Sequence, residues 1–182
     1  MMTQADCRKA LKKIAQGNRA GLADLYHSLG REIFAVAFSV TGKEELAEDA
    51  MQDTFLKVYE KIGTYRPDGN ARAWVLTIAR NTAIDLARTS HATYDSLDDL
   101  SEVLPAPDCE DPAKYLETKE LLSELDADDR ELLLLRYGAG FSCKEVSSVT
   151  GLSLSCVQKR CQRALQKLKD SRKTKRKGVH RT

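Results

Sequence analysis

The fold is decided by residues 142–168, whose sequence is SCKEVSSVTGLSLSCVQKRCQRALQKL. Ser142 stands three residues before Glu145, which is the capping-box spacing of a helix N-terminus. Gly151 breaks the pattern, and Ser153 can cap a second helix after it. The second helix is predicted to bury one apolar face, made of Val157, Cys161, Ala164 and Leu168. The stretch therefore predicts two helices joined by a tight turn, a helix-turn-helix.

The opposite face of the second helix is predicted to contact DNA. In a helix-turn-helix the first helix braces the second, which lies in the major groove. Glutamine can pair with adenine edges, while lysine and arginine contact guanine or phosphate. The predicted contact residues are Ser155, Gln158, Lys159, Gln162 and Arg163. No Asp or Glu occurs between Glu145 and Asp170, so nothing on this face would repel phosphates. The alternative is an ordinary amphipathic helix pair with a solvated polar face.

Charge is distributed unevenly along the 182 residues, although the net charge is only +2. Residues 89–113 contain seven Asp/Glu, no Lys/Arg and three of the four prolines, which predicts an extended acidic linker. Residues 114–182 contain 16 Lys/Arg and nine Asp/Glu, and they end in a basic tail without apolar periodicity. This asymmetry favours a polyanionic partner for the C-terminal part.

Upstream of the linker, apolar residues recur at helical spacing in four segments. These segments are residues 5–16, 19–40, 44–62 and 71–88. Asn18 can cap the second segment, and Thr41 with Glu44 has capping-box spacing at the third. The chain is therefore predicted to be all-α, with two helical domains joined by an acidic flexible linker.

Residues 47–59, AEDAMQDTFLKVY, form an amphipathic segment within the third predicted helix. Its more exposed side carries Asp49, Gln52, Asp53 and Leu56. An exposed leucine among polar and acidic groups favours a protein interface. The alternative is a surface helix with one ordinary exposed apolar residue.

Residues 63–88 combine aromatic and arginine side chains. Tyr65 and Trp74 are interleaved with four arginines, Arg66, Arg72, Arg80 and Arg88. Single-stranded nucleic acid is bound by such surfaces, through base stacking on the rings and attraction of the backbone to the cations. The alternative is that Trp74 belongs to the core and the arginines are solvated.

These motifs resemble the sigma-70 family of RNA polymerase sigma factors, in its extracytoplasmic-function type. Residues 47–59 and 63–88 together are similar to sigma region 2. The segments similar to region 4 are LDADDRELLLLRY at 125–137, GFSCKEV at 140–146 and VQKR at 157–160. The resemblance covers roughly residues 15–90 and 113–170, with the acidic segment between them.

The resemblance implies a subunit that binds core polymerase and directs promoter-specific initiation, recognising the −35 and −10 elements and melting the −10 region. It divides the chain into a region 2 domain (1–90), an acidic linker (91–112), a region 4 domain (113–170) and a basic tail (171–182). The linker would follow the template-strand and RNA-exit channel. Binding to polymerase would set the separation of the two domains, so that both elements are read together.

Matching positions imply the contacts that each domain makes. The β′ clamp of core polymerase would bind Asp49, Gln52, Asp53 and Leu56, and the β flap would bind region 4. The melted −10 strand would lie against Asn70, Arg72, Trp74, Arg80, Asn81 and Arg88. The −35 element would contact the five helix-turn-helix residues given above. An anti-sigma factor is the regulatory partner that the resemblance implies.

Nothing in the sequence predicts an enzyme, a cofactor or a metal site. GxxxxGK and GxGxxG motifs are absent, His27, His91 and His180 are isolated, and the five cysteines form no CxxC pair. Neither a signal peptide nor an apolar stretch of about 18 residues occurs, which predicts a cytoplasmic location without membrane insertion. Two alternatives stay open. One is a helix-turn-helix regulator that acts without replacing sigma, and the other is a helical interaction or sequestering protein.

Overall fold

The computed structural model describes residues 4–93 and 122–179, and within these ranges every regular element is helical, as predicted. The N-terminal lobe (residues 4–93) contains α1 (Gln4–Ala15), α2 (Ala20–Thr41), α3 (Glu44–Lys61) and α4 (Ala71–Thr93). The C-terminal lobe (residues 122–179) contains α5 (Ala127–Leu133), α6 (Cys143–Thr150) and α7 (Leu154–Val179). A 3-10 turn, Ile62–Thr64, follows α3, and a π-helical turn, Leu134–Gly138, follows α5. The predicted linker lies outside the described residues, except for 91–93 at the end of α4.

An apolar stripe on α2 holds the N-terminal lobe together. Leu25, Leu29 and Ile33 recur every four residues and are fully buried. They belong to a core that also contains Leu11 of α1 and Val75 of α4. Burying side chains of this size contributes about 1.5–3 kcal/mol each. The helical spacing in the sequence therefore identified the inner face of α2 correctly.

Gly21 allows α1 and α2 to cross closely. A Cβ at this position would lie 2.6 Å from the carbonyl oxygen of Ala10 and 2.8 Å from the Ile14 side chain. We expect Gly21→Ala to lower the free energy of unfolding by about 1–3 kcal/mol, because backbone must move to admit the methyl group. Gly30→Ala is the matched control, since a Cβ there meets nothing within 4 Å. Urea denaturation should show Gly30→Ala to be neutral or stabilising, and equal effects of the two changes would contradict the close crossing.

Three predicted N-caps are confirmed by side-chain hydrogen bonds. Asp126 accepts the backbone N–H of Asp129 at 2.8 Å. Ser142 and Glu145 form the reciprocal capping box at the start of α6. Ser153 accepts a backbone N–H at 3.3 Å before α7. Short polar side chains thus set the helix starts of the C-terminal lobe.

Three predicted helix ends are wrong. Gly42 has φ 65° and ends α2, so Thr41 is the last residue of α2 and does not cap α3. Helix α4 continues to Thr93, beyond Arg88 where the apolar pattern stops. Helix α7 continues through the basic tail to Val179. Neither extension contains proline, and an existing helix propagates without needing an apolar face.

The Asp126 cap leads to a pH-dependent prediction. The backbone hydrogen bond from Asp129 lowers the pKa of the Asp126 carboxyl, and the charge of Arg160 adds to this effect. We expect Asp126→Ala to lower the free energy of unfolding by about 1 kcal/mol at pH 7. The contribution of the carboxylate is present above its ordinary pKa of 3.8 and is lost as the pH falls through the lower folded value. In urea denaturation the loss should therefore shrink between pH 7 and pH 3, and an equal loss at both would contradict the prediction.

Arg160 connects α7 to the start of α5. Its guanidinium lies 2.6 Å from Asp129, 3.3 Å from Asp128 and 3.5 Å from Asp126. The hydrogen bond to Asp129 raises the pKa of Arg160. Arg160 belongs to the VQKR segment, yet it faces its own lobe, beside residues that face outward. Its role is to orient α7.

Candidate nucleic-acid interface

The outer face of α7 presents all five residues that the sequence assigned to the −35 element. Ser155, Gln158, Lys159, Gln162 and Arg163 are each exposed. The opposite face is buried at Val157, Cys161 and Ala164. The predicted division of this helix into a buried and an exposed face is therefore confirmed, and its first three turns offer amide and cationic groups to a groove.

The turn before α7 is held by local hydrogen bonds. Gly151 ends α6 with φ 76°, a conformation that favours glycine. The hydroxyl of Ser147 donates to the carbonyl of Leu152 at 2.6 Å, across this turn. The capping box at the other end of α6 involves a charged group. Burial raises the pKa of Glu145, but hydrogen bonds from Ser142 and the charge of Arg72 lower it further, so the net shift is downward.

The exposed face of α3 carries the residues that the sequence assigned to the polymerase. Asp49 and Gln52 are exposed, and Asp53 is half-buried. Leu56 is 63% exposed, the highest value for a large apolar residue in the described part of the chain. The other side of α3 is buried at Ala47, Ala50, Thr54 and Val58. An apolar group is thus presented to solvent beside carboxylates.

Two tyrosines beside Leu56 were not identified from the sequence. Tyr26 and Tyr59 fit the apolar spacing of α2 and α3, but they are 52% and 42% exposed. The Tyr26 ring contacts the ring of Phe55, with 5.5 Å between centroids. Tyr59 follows Leu56 by one helical turn. The exposed apolar patch therefore consists of Tyr26, Leu56 and Tyr59, and only side-chain packing distinguishes its tyrosines from core residues.

The six residues assigned to the −10 strand fall into two groups. Asn70, Asn81 and Arg88 are exposed, and the Asn70 side chain caps α4 by accepting the N–H of Ala73 at 3.0 Å. The other three are covered to different degrees: Arg72, Trp74 and Arg80. Trp74 packs against Tyr65, with 5.3 Å between ring centroids, and belongs to the edge of the core.

Comparison with known proteins shows which family this arrangement belongs to. The family model for sigma-70 region 2 matches residues 25–93, and the model for sigma-70 region 4 matches residues 115–168. The chain belongs to the sigma-70 family. Its curated relatives include ECF sigma factor SigM of Bacillus subtilis, 31% identical over 80% of this chain and 91% of SigM. Sigma factor CarQ of Myxococcus xanthus is 28% identical over 88% of this chain and 94% of CarQ. It is thus an ECF sigma factor, which acts with RNA polymerase and promoter DNA to initiate transcription.

Two solved sigma factors share the fold. CnrH in complex with the cytosolic domain of CnrY gives a TM-score of 0.71 at 27% identity, over 93% of this chain and 98% of CnrH. RpoE in complex with the anti-sigma factor NepR, from Bartonella quintana, gives 0.63 at 26% identity, over 81% and 95%. The N-terminal lobe of this sigma factor is about half of the chain, so superposition of that lobe alone could not give 0.71. Both lobes therefore superpose together on CnrH.

The two lobes of the sigma factor contact each other through α4. Arg80 forms two hydrogen bonds with the carboxylate of Glu131 in α5, at 2.6 and 2.9 Å. Arg72 pairs with Glu32 of its own lobe at 2.8 Å and with Glu145 of α6. Its guanidinium also lies 4.7 Å from the centroid of the Phe141 ring. The sequence predicted neither carboxylate as a partner of these arginines.

The remaining candidates for other chemistry have ordinary structural roles. Burial, followed by the charge of Glu32, raises the pKa of the Cys7 thiol to about 12, so this thiol packs in the core. Within residues 4–93 and 122–179, three or more potential metal ligands do not cluster anywhere. No helix described by the structure is long and apolar enough to span a bilayer.

Proposed function

We propose that this sigma factor reads the −35 element with the exposed face of α7 and the −10 element with α4. The observation that carries the proposal is the outer face of α7, where five polar or cationic residues are exposed together and no acid interrupts them. Lys159 and Arg163 supply charge for phosphate or guanine, and Gln158 and Gln162 can read adenine. Each good base contact contributes about 1–3 kcal/mol of discrimination.

Core binding is assigned to α3. We propose that Leu56 enters an apolar site on the β′ clamp, while Asp49, Gln52 and Asp53 form polar contacts around it. Tyr26 and Tyr59 extend this contact on both sides of Leu56. Region 4 would bind the β flap, so that polymerase fixes the distance between the two DNA-reading lobes.

Promoter melting is assigned to α4 and the turn before it. Unstacked bases would be captured near Asn70, Asn81 and Trp74, and the arginines Arg72, Arg80 and Arg88 would attract the strand. This mechanism uses binding energy alone, so we propose that the sigma factor has no enzymatic activity of its own. It would act in the cytoplasm, together with the polymerase.

An anti-sigma factor is the proposed regulatory partner. Support comes from the two similar solved structures, which are complexes with CnrY and with the anti-sigma factor NepR. Such a partner would cover the exposed patch on α3 or the DNA-reading face of α7, since these are the surfaces that transcription requires.

Run-off transcription on a library of promoter fragments tests the proposal. Core polymerase with this protein should start transcripts at defined positions, and Lys159→Ala with Gln162→Ala should abolish or shift this selection. The double change should leave binding to core intact. A regulator that does not replace sigma would give no specific starts with core alone. A sequestering protein would bind neither duplex DNA nor a β′ clamp peptide.

A further inference from the structure

The C-terminal lobe covers part of the surface that is proposed to bind the melted strand. Arg72, Thr77 and Arg80 lie along one side of α4, and each meets the other lobe. Arg80 binds Glu131 through two hydrogen bonds, and Arg72 binds Glu145. Between these ion pairs, the Thr77 hydroxyl lies 3.5 Å from the carbonyl oxygen of Ser148. The contact therefore extends over more than two turns of α4.

The groups that form this contact are largely removed from water. Arg72 is 8% exposed and Glu131 is 7% exposed. Charges at such burial are stable only when they are paired. The hydrogen bond from Glu131, which outweighs burial, raises the pKa of Arg80. Glu131 and Glu145 thus give the two arginines the negative partners that DNA phosphates would otherwise supply.

The contact also contains an uncompensated donor, which limits its strength. The Nη2 atom of Arg72 is buried and has no hydrogen-bond partner within the described residues. Opening would expose this N–H group to water, while the pair between Arg72 and Glu32 would remain inside the N-terminal lobe. Glu145 would likewise keep its capping box with Ser142. Separation of the lobes therefore leaves two of the four charged groups partnered.

We propose that this packed form is autoinhibited, with Glu131 and Glu145 acting as internal competitors of the −10 strand for Arg80 and Arg72. The inference rests on the proposed role of α4 in DNA binding. Free sigma factor binds single-stranded DNA weakly in this form because both arginines are occupied. Core polymerase relieves the inhibition by holding the lobes apart. Apparent affinity for the strand is reduced by the fraction of molecules that are closed.

Glu131→Gln tests the competition, because it removes one charge from the interface and keeps the side-chain shape. Asp128→Asn is the matched control, since it removes one charge from the same helix at an ion pair that lies inside the C-terminal lobe. Binding of the full-length variants to a fluorescein-labelled single-stranded 20-mer of mixed sequence is measured by anisotropy. We expect Glu131→Gln to bind about five-fold more tightly than Asp128→Asn.

The radius of gyration from small-angle X-ray scattering supplies a readout that does not depend on DNA. It should increase for Glu131→Gln and remain at the wild-type value for Asp128→Asn. Glu145→Gln is the second variant, and glutamine preserves the capping box. Equal DNA affinity and equal radius for all the variants would overturn the autoinhibition. An increased radius without tighter DNA binding would keep the lobe contact but refute competition, and with it the assignment of Arg72 and Arg80 to DNA. Run-off transcription by the wild type with core tests the sigma function separately.

Discussion

Replacing Leu56 with aspartate is expected to weaken binding to core polymerase by about 30-fold or more. Burying a leucine side chain contributes about 1.5–3 kcal/mol, and 2 kcal/mol corresponds to about 30-fold in Kd. Aspartate removes this contribution and would also have to lose water from a charge upon binding. The stability of the protein should change little, because Leu56 is 63% exposed in the folded chain. Surface plasmon resonance with immobilised core measures the affinity, and thermal unfolding measures the stability.

Lys9→Asp is the control for the introduced charge, since Lys9 is exposed on α1, outside the proposed polymerase surface. It should bind core as the wild type does. Leu56→Ala should give an intermediate loss, because it removes most of the apolar area without adding a charge. If Leu56→Asp bound core with wild-type affinity, α3 would not be the polymerase-binding helix. Loss of binding accompanied by unfolding would show that Leu56 has a structural role.

The sequence predicted those parts of the site that depend on helical periodicity. On α7, Val157 and Cys161 alternate with Gln158 and Gln162 at a spacing that only one helix orientation satisfies. The capping box of Ser142 and Glu145 is equally local, because its partners lie three residues apart. Such features can be predicted without any knowledge of the tertiary fold.

The contact between the lobes could not be predicted in this way. Glu131 follows Arg80 by 51 residues, and Glu145 follows Arg72 by 73 residues. The predicted linker lies between the partners, so no sequence spacing constrains which carboxylate meets which arginine. The same limit applies to Tyr26, whose exposure depends on how α2 packs against α3. Periodicity assigns a residue to a face of its own helix, whereas only packing decides what covers that face.

Replacing Phe141 with alanine is expected to lower the free energy of unfolding by about 3–5 kcal/mol. Phe141 is fully buried in the C-terminal lobe, and removal of a buried aromatic ring leaves a cavity. Its backbone N–H donates to the carbonyl of Leu135 at 3.0 Å, and its own carbonyl accepts from Arg136 at 3.1 Å. The ring therefore anchors the segment between the π-helical turn and α6. We expect the change to disrupt the helix-turn-helix, and with it binding to −35 duplexes.

Tyr137→Ala provides the matched control, because it removes an aromatic ring four residues away that is 57% exposed. Its effect on the free energy of unfolding should stay below about 1 kcal/mol. Urea denaturation followed by circular dichroism measures both changes, and gel-shift experiments with a selected promoter duplex measure DNA binding. Because the α3 surface belongs to the other lobe, Phe141→Ala should still bind core through Leu56, although more weakly than the wild type. A loss of stability no larger than that of Tyr137→Ala would show that the C-terminal lobe does not depend on this ring. Unchanged DNA binding despite a destabilised lobe would remove α7 as the −35 reader.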